Sequence, residues 1–267
     1  MKIILNGTAR TTTAATYASL RESLDLTGDA LIVGGHSKPW DTPVNAGDEV
    51  LIFDSSTSPS PALWRAIYDA RYGHDIMQRL QNGRVAVCGL GGLGSLVAQE
   101  LARLGVGHLL LIDGDHVEPT NLARQHYRLE QIGMPKTDAL AQTITASAPL
   151  TTVETATCWL DAENIPTLLA DWPIVCECLD RPETKALFTS TVLAALPQSI
   201  LVSASGMAGY GSGNDITAKQ LLPRFYQVGD GKSEGEEGIG LMAPRVGLCA
   251  SAQATLVMRL LLGESAP

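Results

Sequence analysis

The chain has 267 residues, a formal net charge of −9, 45% hydrophobic side chains and only 5% aromatic ones. That length is enough for one large domain or two smaller ones with substantial cores, while the acidic balance and scarce aromatics exclude a broad electrostatic grip on nucleic acid and a stacking platform for single strands. There is no signal-peptide pattern and no apolar run long enough to cross a bilayer, so a cytoplasmic protein with no membrane partner is expected.

Residues 1–54 read as a small module. Lys2-Ile3-Ile4-Leu5 is a strand and Asn6-Gly7 a hairpin turn. Tyr17, Leu20, Leu24 and Leu26 suggest an amphipathic helix, and Ala30–Val33 and Glu49–Phe53 are further strands. This order resembles a β-grasp, as in ubiquitin and the small sulfur carriers, and Ala46-Gly47-Asp48-Glu49-Val50 resembles the turn into the last strand of the thiamine sulfur carrier. A working carrier ends in a free Gly-Gly tail. Here residues 55–61, Ser-Ser-Thr-Ser-Pro-Ser-Pro, read as a linker and the chain continues. The module is therefore expected to dock, dimerise or be vestigial, not to serve as acyl substrate.

Residues 62–267 read as a second domain, a Rossmann-like doubly wound α/β sheet. A helical pattern from Ala62 to Leu80 leads into the apolar strand Arg84–Cys88. Gly89, Gly91, Gly92 and Gly94 then form a strand-to-helix turn, where backbone N–H groups and the helix dipole face an anion. Leu109–Ile112 is the next strand, with Asp113 at its carboxyl end, where ribose hydroxyls bind in such sheets. Ile174–Leu179 and Ser199–Ala204 are expected as central strands, Leu187–Ala195 and Val246–Leu262 as helices, and Gly229–Gly240 as a loop. The five cysteines, Cys88, Cys158, Cys176, Cys178 and Cys249, include no C-x-x-C pair, so reduced thiols and no structural zinc are expected.

The glycine turn, the segment Asp113-Gly114-Asp115-His116-Val117-Glu118-Pro119-Thr120-Asn121-Leu122-Ala123-Arg124-Gln125, then Gly133-Met134-Pro135-Lys136, and Asp180 after a strand together resemble the ThiF/MoeB/HesA family, relatives of ubiquitin-activating enzymes. The resemblance runs from about Arg71 to Gly263. It implies ATP-dependent adenylation of the C-terminal carboxylate of a small sulfur carrier ending in Gly-Gly, and the front module points within the family to a ThiF-type enzyme of thiamine synthesis. It also implies a homodimer, with Arg124 reaching the partner subunit's site, Asp113 on the ribose and Asp115 near phosphates or metal.

Adenylation needs no general base, because the attacking carboxylate is already ionised at neutral pH. It needs cations and donors around the phosphates. Arg124 and Lys136 are the candidate cations, Asn121 and Gln125 candidate donors, and Asp180 the candidate ligand of Mg²⁺. Each has a plainer alternative: Arg124 as a surface ion-pair residue, Lys136 as a solvated lysine, Asp180 as a helix cap. His116 and His126 read as solvated or supporting residues, and Arg71 and Arg79 as extra phosphate contacts. The stretch Gly231–Ile239, where some relatives carry a reactive cysteine, has no thiol, and Cys249 stands in an apolar helix. The expectation is an enzyme that stops at the acyl-adenylate. Three alternatives stay open: a family member acting on another carboxylate (a molybdopterin carrier or an RNA-linked threonylcarbamoyl group), a non-catalytic nucleotide-binding scaffold, and an NAD-dependent dehydrogenase. The last leaves Asn121-Leu122-Ala123-Arg124-Gln125 unexplained.

Overall fold

The computed structural model describes residues 1–235 and 239–264. Two compact units divide the chain, Met1–Gln78 and Arg79–Pro267.

In the first unit, β1 (Lys2–Leu5) and β2 (Thr8–Thr11) form a hairpin. Its turn puts Asn6 and Gly7 at φ of 49° and 78°, the left-handed pair that matches the twist of the strands. Ile3 and Leu5 are buried while Lys2 and Ile4 are exposed, the period of two that sets one face inward. The helix α1 (Tyr17–Ser23) is held at its start by a reciprocal Thr16–Ser19 capping box and ends before Leu24. β3 (Ala30–Val33) pairs with the two-residue β4 (His36–Ser37), and β5 (Glu49–Phe53) runs antiparallel to β3 and parallel to β1. The sheet order is β2-β1-β5-β3-β4. Its core gathers Ile3, Leu5, Tyr17, Leu20, Leu31, Val44, Val50 and Ile52. The helix expected over 62–80 is instead two, α2 (Pro61–Tyr72), capped by Ser60, and α3 (His74–Gln81). They separate at Gly73, whose φ of 91° lies outside helical geometry.

The second unit is a seven-stranded sheet of order β11-β12-β10-β9-β6-β7-β8. Its strands are β6 (Arg84–Cys88), β7 (His108–Ile112), β8 (Thr152–Ala156), β9 (Ile174–Glu177), β10 (Ile200–Ala204), β11 (Thr217–Leu222) and β12 (Phe225–Gly229). All neighbours are parallel except the edge strand β11. The helices are α4 (Gly92–Leu104), α5 (Lys136–Thr145), α6 (Ile165–Leu168), α7 (Pro182–Ala195) and α8 (Ala243–Leu261). Alternate residues Ala86, Cys88, Leu110 and Ile112 pack on Ile165, Phe188 and Val192 of α6 and α7, while α4 packs against α8. Burial on both faces explains the near-continuous apolar strands.

Register is what positions the site. Cys88 of β6 lies opposite Ile112 of β7 and Glu177 of β9, so three strands end level. Gly89, Asp113 and Cys178 therefore leave the sheet together. The connection direction reverses across β6, from β7 on one side to β9 on the other, which opens a crevice at the carboxyl ends. No helix among the described residues is long and apolar enough to cross a membrane.

Candidate active site

A cavity of about 680 Å³ occupies that crevice. Of the residues singled out from the sequence, Gly89, Gly91, Gly92, Asp113, Asp115, Arg124, Gln125, Lys136 and Asp180 line it, whereas Gly94 and Asn121 do not.

The glycine turn is pinned at one residue. Leu90 donates its N–H to Asp113 Oδ2 at 2.6 Å, and its carbonyl accepts from the Tyr127 hydroxyl at 2.7 Å. The glycines around that pin do different work. Gly89 has φ of 89°, and a Cβ there would lie 2.7 Å from the Cys178 carbonyl oxygen. A Cβ on Gly94 would fall 1.8 Å from the Gly89 carbonyl oxygen, so this glycine lets α4 close onto the strand. Gly91 is the exception. The nearest atom to a Cβ there is Gln125 Nε2, at 3.9 Å, leaving space on the cavity side. Gly91 caps α4 with no side-chain bond to the first-turn N–H groups, which keeps those donors open to an anion.

The acidic segment and Lys136 are brought together by a short backbone pairing. Val117 donates to the Met134 carbonyl and Gly133 to the Val117 carbonyl, both at 2.8 Å, and Lys136 N–H donates to the Asp115 carbonyl at 3.0 Å. Gly133, at φ of 87°, supplies the turn into this pairing. Lys136 then opens α5 with its ammonium buried, 3.0 Å from Asp115 Oδ2 and 4.0 Å from Asp113 Oδ2. Asp113 also accepts from Asp115 N–H at 2.8 Å, so it ties the glycine turn, the acidic segment and Lys136 into one unit.

Asn121 has an architectural position. Its side-chain oxygen accepts from Glu118 N–H at 3.0 Å, and its carbonyl accepts from Arg124 and Gln125 N–H, closing the short turn that aims both at the cavity. The Arg124 guanidinium forms no ion pair among the described residues, and it lines the cavity of its own chain. Gln125 is buried, and its Oε1 has no hydrogen-bond partner among the described residues. A buried amide oxygen left unpaired is costly unless a ligand or water supplies a donor. Asp180 is exposed at the rim, and no group of three or more His, Cys, Asp and Glu is gathered among the described residues. His116 and His126 are exposed, and Arg79 donates to the Leu262 carbonyl at 2.6 Å.

Four features of the site were not anticipated from the sequence. Lys185, in the first turn of α7, lines the cavity and donates to both oxygens of the buried Glu177 carboxylate, at 2.9 and 2.8 Å. Burial pushes the Glu177 carboxyl above the usual carboxylate range, against the pull of Lys185. Tyr127 holds the glycine turn, and its phenol is pushed up by burial and by the nearby Asp113 and Asp115. Trp159 stands in the wall. Arg245 pairs with Asp230 at 2.5 Å at the start of the loop whose residues Gly231–Gly235 reach the cavity. Burial of Asp230 is overcome by hydrogen bonds from Ser233, Lys232 N–H and Arg245, which hold its carboxyl well below the usual range. The loop expected over 229–240 is thus fastened at its start, while residues 236–238 lie outside the described ones.

A model of the ThiF family matches residues 65–267. The chain belongs to the ThiF family. It is 28% identical over 208 residues to the molybdopterin-synthase adenylyltransferase of Escherichia coli K12, covering 73% of this chain and 80% of that one. It is 32% identical over 192 residues to an adenylyltransferase and sulfurtransferase of Candida glabrata, covering 69% of this chain but only 44% of the relative, so this ThiF-family chain spans less than half of that protein. In fold it is similar to the E. coli tRNA N6-threonylcarbamoyladenosine dehydratase solved with ATP, with a TM-score of 0.69, 20% identity, and coverage of 78% of this chain and 98% of that one.

Proposed function

We propose that this ThiF-family chain is an ATP-dependent adenylyltransferase acting on the C-terminal glycine carboxylate of a small sulfur carrier that ends in Gly-Gly. The observation that carries this reading is one cavity lined by an uncapped helix start at Gly91, the carboxylate of Asp113, the buried ammonium of Lys136 and the free guanidinium of Arg124. The unpaired Gln125 Oε1 and the open side of Gly91 are features a bound nucleotide would satisfy and fill. The named relatives from E. coli and C. glabrata are adenylyltransferases, which supports the same reaction class.

In that reaction a carboxylate oxygen bonds to the α-phosphorus, the α–β anhydride bond breaks, and pyrophosphate leaves with the electron pair. No proton transfer is required. Catalysis is then positioning and charge compensation. Lys136 and Arg124, both lining the cavity, neutralise phosphate charge, N–H groups of Gly91 and Gly92 donate to phosphate oxygens, and Asp113 accepts from the ribose. Asp180 would hold Mg²⁺, which would supply further positive charge to offset that of the phosphates; a lone carboxylate suits that ion, which commonly takes one or two carboxylates with phosphate and water.

We read residues 1–54 as a β-grasp module, 55–61 as a linker and 62–267 as the adenylyltransferase domain. The module's sheet order and the parallel β1–β5 pair support the β-grasp reading, and its likeness to the thiamine carrier supports thiamine synthesis as the setting. Residues 54–61, directly after β5, hold no Gly-Gly and the chain continues, so the module serves docking or dimerisation, or is vestigial, and is not the substrate. A homodimer is the proposed assembly, with Arg124 serving the cavity of its own chain.

ATP–pyrophosphate exchange tests the reading. Exchange that requires a free Gly-Gly carrier and collapses in Arg124→Ala is the expected result. Tight ATP binding without exchange on any carrier would favour another carboxylate or a nucleotide-binding scaffold, and preference for NAD would remove the reading altogether.

A further inference from the structure

Trp159 is 68% exposed, yet it belongs to the wall of the cavity. Its ring sits against Gly114. A Cβ on that glycine would lie 2.7 Å from both ring-fusion carbons of the indole, so the backbone of residue 114 backs the centre of the ring and tolerates no side chain. The segment carrying Trp159 is firmly set. Asn164 Nδ2 donates to the Trp159 carbonyl at 2.8 Å, Asn164 Oδ1 accepts from Asp161 N–H, and Asp161 Oδ1 accepts from Glu163 and Asn164 N–H. An indole held in a fixed place, supported on one face and open on the other, is a surface prepared for a flat partner.

Strand order says which partner. The glycine turn follows β6, Asp113 follows β7, and Trp159 follows β8, and these three strands are consecutive neighbours in the sheet. At about 4.8 Å between strands, the three positions step sideways over roughly 10 Å, in the order phosphate, sugar, base. Gly114, under the indole, is the residue next to Asp113, so a ribose held by Asp113 has its base one glycosidic bond from the ring.

We propose that Trp159 is the stacking platform for the purine of the bound nucleotide, with Gly114 as its backing. This rests on the ATP reading above. Stacking is blind to the base's edges and to the phosphates, so Trp159 would set affinity for nucleosides in general without touching the reacting atoms.

The test is nucleotide binding to the full chain by calorimetry and by tryptophan emission, for wild type, Trp159→Phe, Trp159→Ala and Gly114→Ala. ATP is expected to quench a part of the emission that Trp159→Phe lacks. Trp159→Ala is expected to weaken ATP ten- to a hundredfold, Trp159→Phe only a few-fold, and Gly114→Ala to resemble Trp159→Ala by displacing the ring. Ribose 5-triphosphate, which has no base, should bind wild type and Trp159→Ala alike. Wild-type affinity for ATP in Trp159→Ala, with its fold verified by circular dichroism, overturns the platform and leaves the ATP reading standing. Failure of the wild type to bind ATP overturns both. Equal weakening of ATP and ribose 5-triphosphate in Trp159→Ala would make the residue a structural support and also overturn the proposal.

Discussion

The Lys136 ammonium, buried at 7% exposure, sits 3.0 Å from an Asp115 carboxylate that is 51% exposed. The lysine is held in place by a partner that water can solvate without it. Lys136→Met leaves Asp115 to water but takes the cation from the buried Asp113 carboxylate 4.0 Å away, so a stability cost of about 1–3 kcal/mol is expected, with pyrophosphate exchange lowered by about a hundredfold or more. Lys136→Arg should not restore it, because a planar guanidinium does not fit a site shaped around a compact ammonium. Thermal melts beside exchange rates separate the two effects. A large drop in melting temperature with little loss of exchange would make Lys136 structural.

Gly91 and Gly94 should behave as opposites. Gly94→Ala drives a Cβ to 1.8 Å from the Gly89 carbonyl oxygen, and a loss of more than about 3 kcal/mol is expected. Gly91→Ala meets nothing closer than 3.9 Å, so its added methyl group has open space around it. That variant should melt close to wild type and lose ATP affinity, because its methyl group stands where the phosphates approach. Urea midpoints and ATP titration of both variants decide it.

The Glu177–Lys185 pair carries a pH signature. Breaking it with Lys185→Met leaves a buried carboxyl without its cation, at a cost of about 3–5 kcal/mol near neutral pH. Burial already raises the carboxyl, and without Lys185 it rises further. A raised carboxyl favours the fold below its unfolded value, where both states are protonated, and that advantage fades as pH climbs through the folded value. Lys185→Met should accordingly recover much of its stability at pH 5 relative to pH 8, a trend steeper than in wild type. Urea unfolding at both pH values measures it, and a flat profile would show the carboxyl is not buried charge in the variant.

No thiol is poised to react. Burial pushes Cys176 and Cys249 up to about 12, Cys88 and Cys178 well above their usual value, and Cys158 upward to a lesser degree. Iodoacetamide at pH 7.5 should label Cys158 alone in the native protein, and Cys249→Ala should keep exchange within about twofold. A carrier–enzyme adduct released by dithiothreitol would contradict an enzyme that ends at the acyl-adenylate.

The site was legible where local patterns repeat known physics: the glycines between an apolar strand and a helix, and Asp113 closing the next strand. Lys136 was legible as a motif position, but its link to Asp115 depends on a backbone pairing between 115–117 and 133–136 that periodicity does not reveal. Lys185 was missed because a lysine in a helix's first turn reads as solvated, and only the buried Glu177 gives it a task. The break at Gly73 was missed because the apolar stripe continues across it. β8 and β11 escaped notice because Thr152–Ala156 and Thr217–Leu222 are mostly solvent-facing strands near the sheet's margins, rich in threonine and polar side chains instead of an apolar run, and β12 because its short buried stretch is interrupted by Gln227 and ends at Gly229.

The level ends of β6, β7 and β9 make the site unequally tolerant of genetic change. Exchanging one apolar residue for another inside these strands leaves their lengths alone and costs only packing. Deleting or inserting a single codon in β7 would withdraw the Asp113 carboxylate from the Leu90 amide and turn it to the other side of the sheet. Diversification of this enzyme should therefore proceed through residue replacement in its strands and through length variation only in the connections beyond the cavity, a pattern that libraries of single-residue deletions would expose as a sharp boundary at residue 113.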